Sequence, residues 1–201
     1  DRGARVHMDL SGPYVRSKGG KRYRAIFLDD FSDHLHFALL TNKSEQPAHL
    51  EAYRAWLKKQ LGLDVKVEKS DSGGEYTSSK HAEECKRNGI EQQFSAPYAS
   101  QQNGKAERKN RYVDEATSTV MYHSGAPASF WGECTDYVVF THNKLPFEKA
   151  EVPGGKPDWW SREDKLHGER VPFDFERLRP FGCRMWRYLP KAAREGNKSF
   201  V

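Results

Sequence analysis

The chain has 201 residues, 36% hydrophobic and 30% charged, with a net charge of +5; that length supports one well-packed domain with an appendage rather than two ordinary domains. No apolar run approaches the roughly 18 residues that a membrane span needs, and Asp1-Arg2-Gly3-Ala4-Arg5 is not followed by the apolar stretch of a signal peptide. The excess of Lys and Arg suits a polyanionic partner without establishing one.

In chain order, residues 5–10, 23–28 and 36–40 read as three strands joined by short connections at Ser11-Gly12-Pro13, Gly19-Gly20-Lys21 and the polar stretch 29–34, which predicts an antiparallel meander. Helical periodicity then follows, with Ser44 as N-cap, a stripe of Ala48, Tyr53, Trp56, Leu57 and Leu61, and Gly62 as the stop. Residues 65–69 form a fourth strand, 78–88 a short helix closed by Gly89, and 90–94 a fifth strand. A polar loop over 95–104 precedes a strong helix over 105–123, whose apolar stripe is Ala106, Val113, Ala116, Thr117, Val120 and Met121, and another helix runs over 129–143. This order predicts an α/β domain over 1–145, with a mixed five-stranded sheet flanked by helices. Residues 146–176 read as a Pro/Gly/charge-rich linker in which Pro157-Asp158-Trp159-Trp160 starts a short helix. Residues 177–201 read as a basic, incomplete C-terminal extension with one more strand over 181–189. Cys85, Cys134 and Cys183 lie far apart and outside any zinc-ligand spacing, which predicts reduced thiols in a cytosolic or nuclear protein. The lack of an initiator Met leads us to expect a fragment or an internal piece of a polyprotein.

Three carboxylates stand out. Asp9 ends the first strand, Asp71 ends the fourth, and Glu107 lies in the first turn of the strong helix, about 110° from the centre of its apolar stripe at roughly 100° per residue. If the first and fourth strands are central neighbours, their carboxylates meet at one sheet edge and Glu107 leans over the rim. Carboxylates converging without neutralising partners repel one another unless cations fill the site, and hard oxygen donors suit Mg2+ or Mn2+. Taken singly, each has a structural reading: turn residue, helix cap, or complement to a helix dipole. Asp29 and Asp30 read as stabilisers of the turn before the third strand, and Glu75 as a loop residue.

The surrounding text lifts the three above those readings. His7, Asp9, Gly12 and Pro13; Phe27-Leu28-Asp29-Asp30-Phe31-Ser32; Ser70-Asp71 with Gly73-Gly74-Glu75-Tyr76; Ser95-Ala96-Pro97-Tyr98; Gln101-Gln102-Asn103-Gly104 with Ala106-Glu107-Arg108-Lys109-Asn110-Arg111; and Leu178-Arg179-Pro180-Phe181-Gly182-Cys183 resemble motifs of copia-type retrotransposon integrases. Between Asp71 and Glu107 lie 35 residues, the D,D(35)E arrangement of that family. Ser72, Ser100 and Asp33 depart from the family pattern without touching a carboxylate.

The resemblance implies an RNase H-like fold and DNA integration: trimming of DNA 3′ ends with water, then joining of those ends to target DNA through the 3′-hydroxyl. It places Asp9, Asp71 and Glu107 at metal-ligand positions of a two-metal Mg2+ or Mn2+ site. It further implies double-stranded DNA as partner, homo-oligomers, and a nuclear and cytoplasmic location in virus-like particles, with no membrane. Lys105, Arg108, Lys109, Arg111 and Asn103 border the site as candidate phosphate contacts, against an i,i+4 pairing of Arg111 with Glu107 and a capping role for Asn103. The competing readings are a catalytically inactive relic or domesticated DNA-binding module, and a related nuclease that cuts without joining.

Overall fold

The computed structural model describes residues 1–71, 79–94, 104–150 and 158–184, with residues 80 and 148–150 described by backbone alone. Strands β1 (Arg5–Ser11), β2 (Tyr23–Asp29) and β3 (Leu35–Leu40) form the expected antiparallel meander. Strands β4 (Val67–Ser70) and β5 (Glu91–Phe94) join parallel on the far side of β1, giving the order β3-β2-β1-β4-β5. The first and fourth strands are therefore central neighbours.

Period-two alternation sorts the side chains onto two faces. Val6, Met8, Ala25, Phe27, Ala38 and Leu40 pack with Leu50, Tyr53 and Leu57 of helix α1 (Gln46–Leu61) on one face. Ile26, Leu28 and Leu35 pack on the other with Ala106 and Val113 of α3 (Gly104–Ser124) and Cys134, Val138 and Val139 of α4 (Trp131–Lys144). Helix α2 (Ser79–Arg87) connects β4 to β5.

Several local expectations shift. The first helix does not start at Ser44: a 3-10 turn over Lys43–Glu45 precedes α1, and the Glu45 carboxylate accepts from the backbone N–H of Thr41 (3.1 Å) and Asn42 (3.1 Å), moving the cap to Asn42. Trp56, read as core, is 37% exposed, while Leu50 takes the buried position.

The segment after 145 departs most. Instead of starting a helix, Asp158–Ser161 forms strand β7, antiparallel to β6 (Pro146–Ala150). The helix begins later, as α5 (Arg162–His167), because Ser161 and Asp164 cap it reciprocally: Ser161 Oγ accepts from Asp164 N (3.1 Å) and Asp164 Oδ2 from Ser161 N (2.9 Å). Leu166 of α5 is fully buried in the β1–β2–α1 core, so this stretch carries structure and packing that its linker-like composition hides. Residues 181–184 form turn and coil rather than the start of a strand; 185–189 lie outside the described residues.

Truncating Leu166 to Ala should destabilise the chain by about 2–5 kcal/mol, the range for a buried Leu. Urea denaturation checks this, and an unchanged midpoint would show that α5 does not belong to the folding unit.

Candidate active site

The β1–β4 register pairs His7 with Lys69; two residues further along, Asp9 comes beside Asp71, the first residue past β4. Asp9 faces the α3 side, because Val6, Met8 and Leu10 occupy the α1 side of the same strand. Helix α3 packs against β1 and β2, and Glu107 in its first turn is half-buried over this edge. Asp71 and Glu107 are each close enough to Asp9 for their charges to act on it. Burial, opposed by hydrogen bonds from Asn110 and the Leu10 N–H, combines with the charges of Asp71 and Glu107 to raise the Asp9 pKa above its ordinary value. The triad stays open: among the described residues, the group of donor atoms that closes to within 4.8 Å is elsewhere, at Glu68, His81 and Cys85.

Each Asp9 oxygen has one fixed partner. Oδ1 accepts from Leu10 N (2.9 Å) and Oδ2 from Asn110 Nδ2 (2.7 Å), which sets the plane of the carboxylate and leaves further lone pairs on both oxygens. Asn110 is held in turn by Arg24, whose Nε and Nη2 donate to Asn110 Oδ1 (3.2 and 2.6 Å) while Nη1 donates to Asp114 Oδ1 (3.1 Å). Asn110 is a site residue that motif reading alone passed over. The available signal was its place four residues after Ala106 and three before Val113, a polar side chain on an apolar stripe that needs a buried partner.

Two of the predicted phosphate contacts are already engaged. Lys105 Nζ donates to the Asp30 carbonyl (2.5 Å) and to Asp30 Oδ1 (3.0 Å), and Lys109 Nζ to Asp33 Oδ2 (2.5 Å). Burial opposes ionisation of Asp30 and Asp33, but these lysines outweigh it and hold both carboxyls below their usual range. His7 Nε2 also bonds Asp30 Oδ1 (2.9 Å), and burial lowers the pKa of His7, so the ring serves as a neutral structural donor. Asp29 accepts from Gly3 N, Ser32 N and Ser32 Oγ, the turn-stabilising role expected of it. Arg108 and Arg111 are exposed, and among the described residues neither guanidinium has an ion pair, so Arg111 does not pair with Glu107. Asn103 and Glu75 lie outside the described residues.

The family model described as "Integrase core domain" matches residues 2–100. Among curated relatives, the chain is 30% identical over 190 residues to the retrovirus-related Pol polyprotein from transposon TNT 1-94 of Nicotiana tabacum, covering 94% of this chain and 14% of that protein. It is 25% identical over 184 residues to the Pol polyprotein of transposon RE2 from Arabidopsis thaliana (92% and 12%), and 24% identical over 181 residues to the truncated Ty1-A Gag-Pol polyprotein of Saccharomyces cerevisiae (88% and 14%). The chain thus spans about a seventh or less of these relatives. Among solved structures, it superposes on a chain of the simian T-cell lymphotropic virus intasome in complex with PP2A regulatory subunit B56 gamma, with TM-score 0.65 and 17% identity over 85% of this chain and 56% of that one. It also superposes on the HTLV-2 integrase catalytic core domain in complex with magnesium, with TM-score 0.54 and 15% identity over 83% and 97%. The fold is RNase H-like.

The raised Asp9 pKa has a signed consequence. A folded carboxyl that holds its proton more tightly than the unfolded one adds stability below its ordinary value of 3.8, and that contribution is lost as pH rises through the raised value. In a chelator, Asp9→Asn should therefore melt above the wild type at pH 7, with the gap closing as pH falls towards that value. Thermal melts across the carboxylate range check this, and a gap independent of pH would remove Asp9 as its source.

Proposed function

The chain belongs to the integrase core domain family, as the catalytic core of a copia-type LTR retrotransposon integrase, and on that premise we propose that it carries out DNA integration: hydrolytic trimming of DNA 3′ ends followed by strand transfer into target DNA. The observation that carries the reading is the register of β1 and β4, which sets Asp9 beside Asp71 with Glu107 delivered by α3.

The donor set fits a hard divalent cation. It is all oxygen, mutually repelling, and includes a carboxylate whose ionisation is disfavoured until positive charge arrives. The chemistry that Mg2+ or Mn2+ supplies in such a site is charge stabilisation of an in-line phosphoryl transfer. The chain's own residues do the positioning. Asn110 and the Leu10 N–H hold the plane of Asp9, and Arg24 holds Asn110 from behind. Catalysis by placement and electrostatics asks for no covalent chemistry from the protein. The HTLV-2 core named above is a magnesium complex in dimeric form, which supports both the cation and a homo-oligomer here.

For DNA, Arg108 and Arg111 are the better phosphate contacts, because their charges stand in solvent. Lys105 and Lys109 contribute after exchanging Asp30 and Asp33 for phosphate, and Asn103 borders the same helix start. Element ends and target DNA are the proposed substrates, acted on in the nucleus after passage through the cytoplasm.

The deciding assay is Mn2+-dependent strand transfer of a short labelled duplex. The wild type should give joined products and Asp71→Asn none; cutting without joining would indicate a nuclease instead, and no product from the wild type would count against the catalytic reading. Mn2+ should also raise the melting temperature of the wild type but much less that of Asp9→Asn. Replacing Arg108 and Arg111 by Ala should weaken DNA binding uniformly across sequences, each lowering the salt-dependence slope by about 0.9; an unchanged slope would place the phosphates elsewhere.

A further inference from the structure

On the sheet face opposite the carboxylate triad, a second donor set is assembled. Glu68 lies three residues before Asp71 and pairs with Val6, so its side chain points to the α1 face. It is 2% exposed. Helix α2 brings His81 (3% exposed) and Cys85 (1% exposed) against it, four residues apart and hence on one side of the helix.

We propose that Glu68, His81 and Cys85 bind a single borderline-soft divalent cation of the Zn2+ class. The three donor atoms already stand at the corners of a coordination face. His81 Nε2 is 3.0 Å from Glu68 Oε2, Cys85 Sγ is 3.4 Å from the same oxygen, and Sγ and Nε2 are 3.6 Å apart. A tetrahedral Zn2+ with ordinary bond lengths requires separations of about 3.3, 3.5 and 3.6 Å for the same N–O, O–S and N–S edges. One carboxylate, one imidazole and one thiol are a ligand set suited to zinc and unsuited to Mg2+, which takes oxygen donors.

The surroundings support the ion. Arg54 Nη1 donates to the other carboxylate oxygen, Glu68 Oε1 (2.8 Å), which orients Oε2 towards the ligand face as outer partners of metal sites do. The second guanidinium arm of Arg54 pairs with Glu84. With a divalent ion bound, Glu68 and a Cys85 thiolate balance the metal, and Arg54 balances Glu84, so the buried cluster is neutral. An open cleft lined by Glu51, Arg54, Lys58, Glu84, Arg87 and Ile90 reaches the Arg54–Glu84 pair from solvent.

Binding is a proton exchange. The S–H bond of Cys85 breaks, its proton leaves to solvent, and Sγ donates its electron pair to the ion; the imidazole proton that Nε2 donates to Glu68 Oε2 in the metal-free protein moves to Nδ1, which frees the Nε2 lone pair for the ion. An ordinary thiol is protonated at neutral pH, so binding releases its proton. One proton released per ion makes the apparent affinity rise about tenfold per pH unit. The ion would staple α2 to the strand that ends at Asp71, from the side away from the chemistry.

The test uses the full chain, stripped with chelator and titrated with Co2+, then with Zn2+. One Co2+ should bind with a thiolate-to-cobalt charge-transfer band in the near-ultraviolet, Zn2+ should displace it, and Mg2+ should not. The Asp9, Asp71 and Glu107 site has no sulfur, so the band reports Cys85 independently of whether that site is catalytic. Cys183→Ser should keep the band, Cys85→Ser should lose it, and Glu68→Gln should weaken Co2+ binding at least tenfold. If Cys85→Ser fails to fold, release of one proton per Zn2+ by the wild type in weak buffer carries the same information. A folded wild type that gives no charge-transfer band, or a band that survives in Cys85→Ser, would overturn the site and leave a hydrogen-bonded polar cluster.

Discussion

The placement of α3 on the sheet depends on one buried cation. Arg24 is the second residue of the mostly apolar β2 and is 1% exposed, yet every arm of its guanidinium is satisfied from α3, by the Asn110 side chain, the Asn110 carbonyl and Asp114. A desolvated guanidinium is tolerated only with such complete partnership, and removing one partner leaves a buried charge uncompensated. An apolar seam alone would let a helix rotate or slide by small steps at little cost, because dispersion and burial are non-directional. Arg24 removes that freedom. Its second effect is functional: the amide it holds is the one that donates to Asp9, so the interaction that docks the helix also orients the first carboxylate.

The sheet separates stability from chemistry by parity. Along β1, Val6, Met8 and Leu10 face α1 and build the larger core, while His7, Asp9 and Ser11 face α3. The same division runs through β4, where Glu68 belongs to the α1 face and Asp71 comes beside Asp9. A one-residue slip of β1 would exchange the two sets, burying carboxylates among Leu50, Tyr53 and Leu57 and exposing core residues. The register that places the site is thus enforced by the hydrophobic face that never touches it. The triad works against stability, since burial and like charge both disfavour ionised Asp9; the core on the opposite face supplies the compensation.

The chain order of strands and helices, the two crossover helices and the strand-end positions of Asp9 and Asp71 were legible in the sequence, because each rests on a periodic signal or a fixed spacing. What was not legible involves partners far apart in the chain. Lys105 and Lys109 read as phosphate contacts because their partners Asp30 and Asp33 lie 75 and 76 residues away. Asp158–Ser161 read as a helix start because its composition is local, whereas its strand conformation comes from pairing with β6. Nothing in the short fourth strand marks Glu68 as buried; Arg54 on α1 with His81 and Cys85 on α2 make its burial possible. Asn110 read as one more letter of a basic motif, although its position on the α3 stripe placed it inside.

The β2–β3 turn supplies the other anchors of α3. Three aspartates five positions or fewer apart each tie a different element: Asp29 the N-terminal segment through Gly3, Asp30 His7 of β1 and Lys105 of α3, and Asp33 Lys109 of α3 and Arg162 of α5. Asp33 does so from a left-handed backbone conformation, φ 60°, a conformation that Asp adopts more readily than bulkier residues. Helix α3 is therefore held at its first turn by the turn aspartates and at its middle by Arg24. Glu107 lies between these two anchors, two residues after Lys105 and three before Asn110, and it alone of the three carries its charge to the carboxylate edge. With both neighbours committed to the sheet, the rotation of the helix about its axis is set by polar contacts of defined direction. The reach of Glu107 towards Asp9 is then a consequence of ion pairs formed elsewhere, and Asp33, one of the three residues that depart from the family pattern, is one of those that fix it.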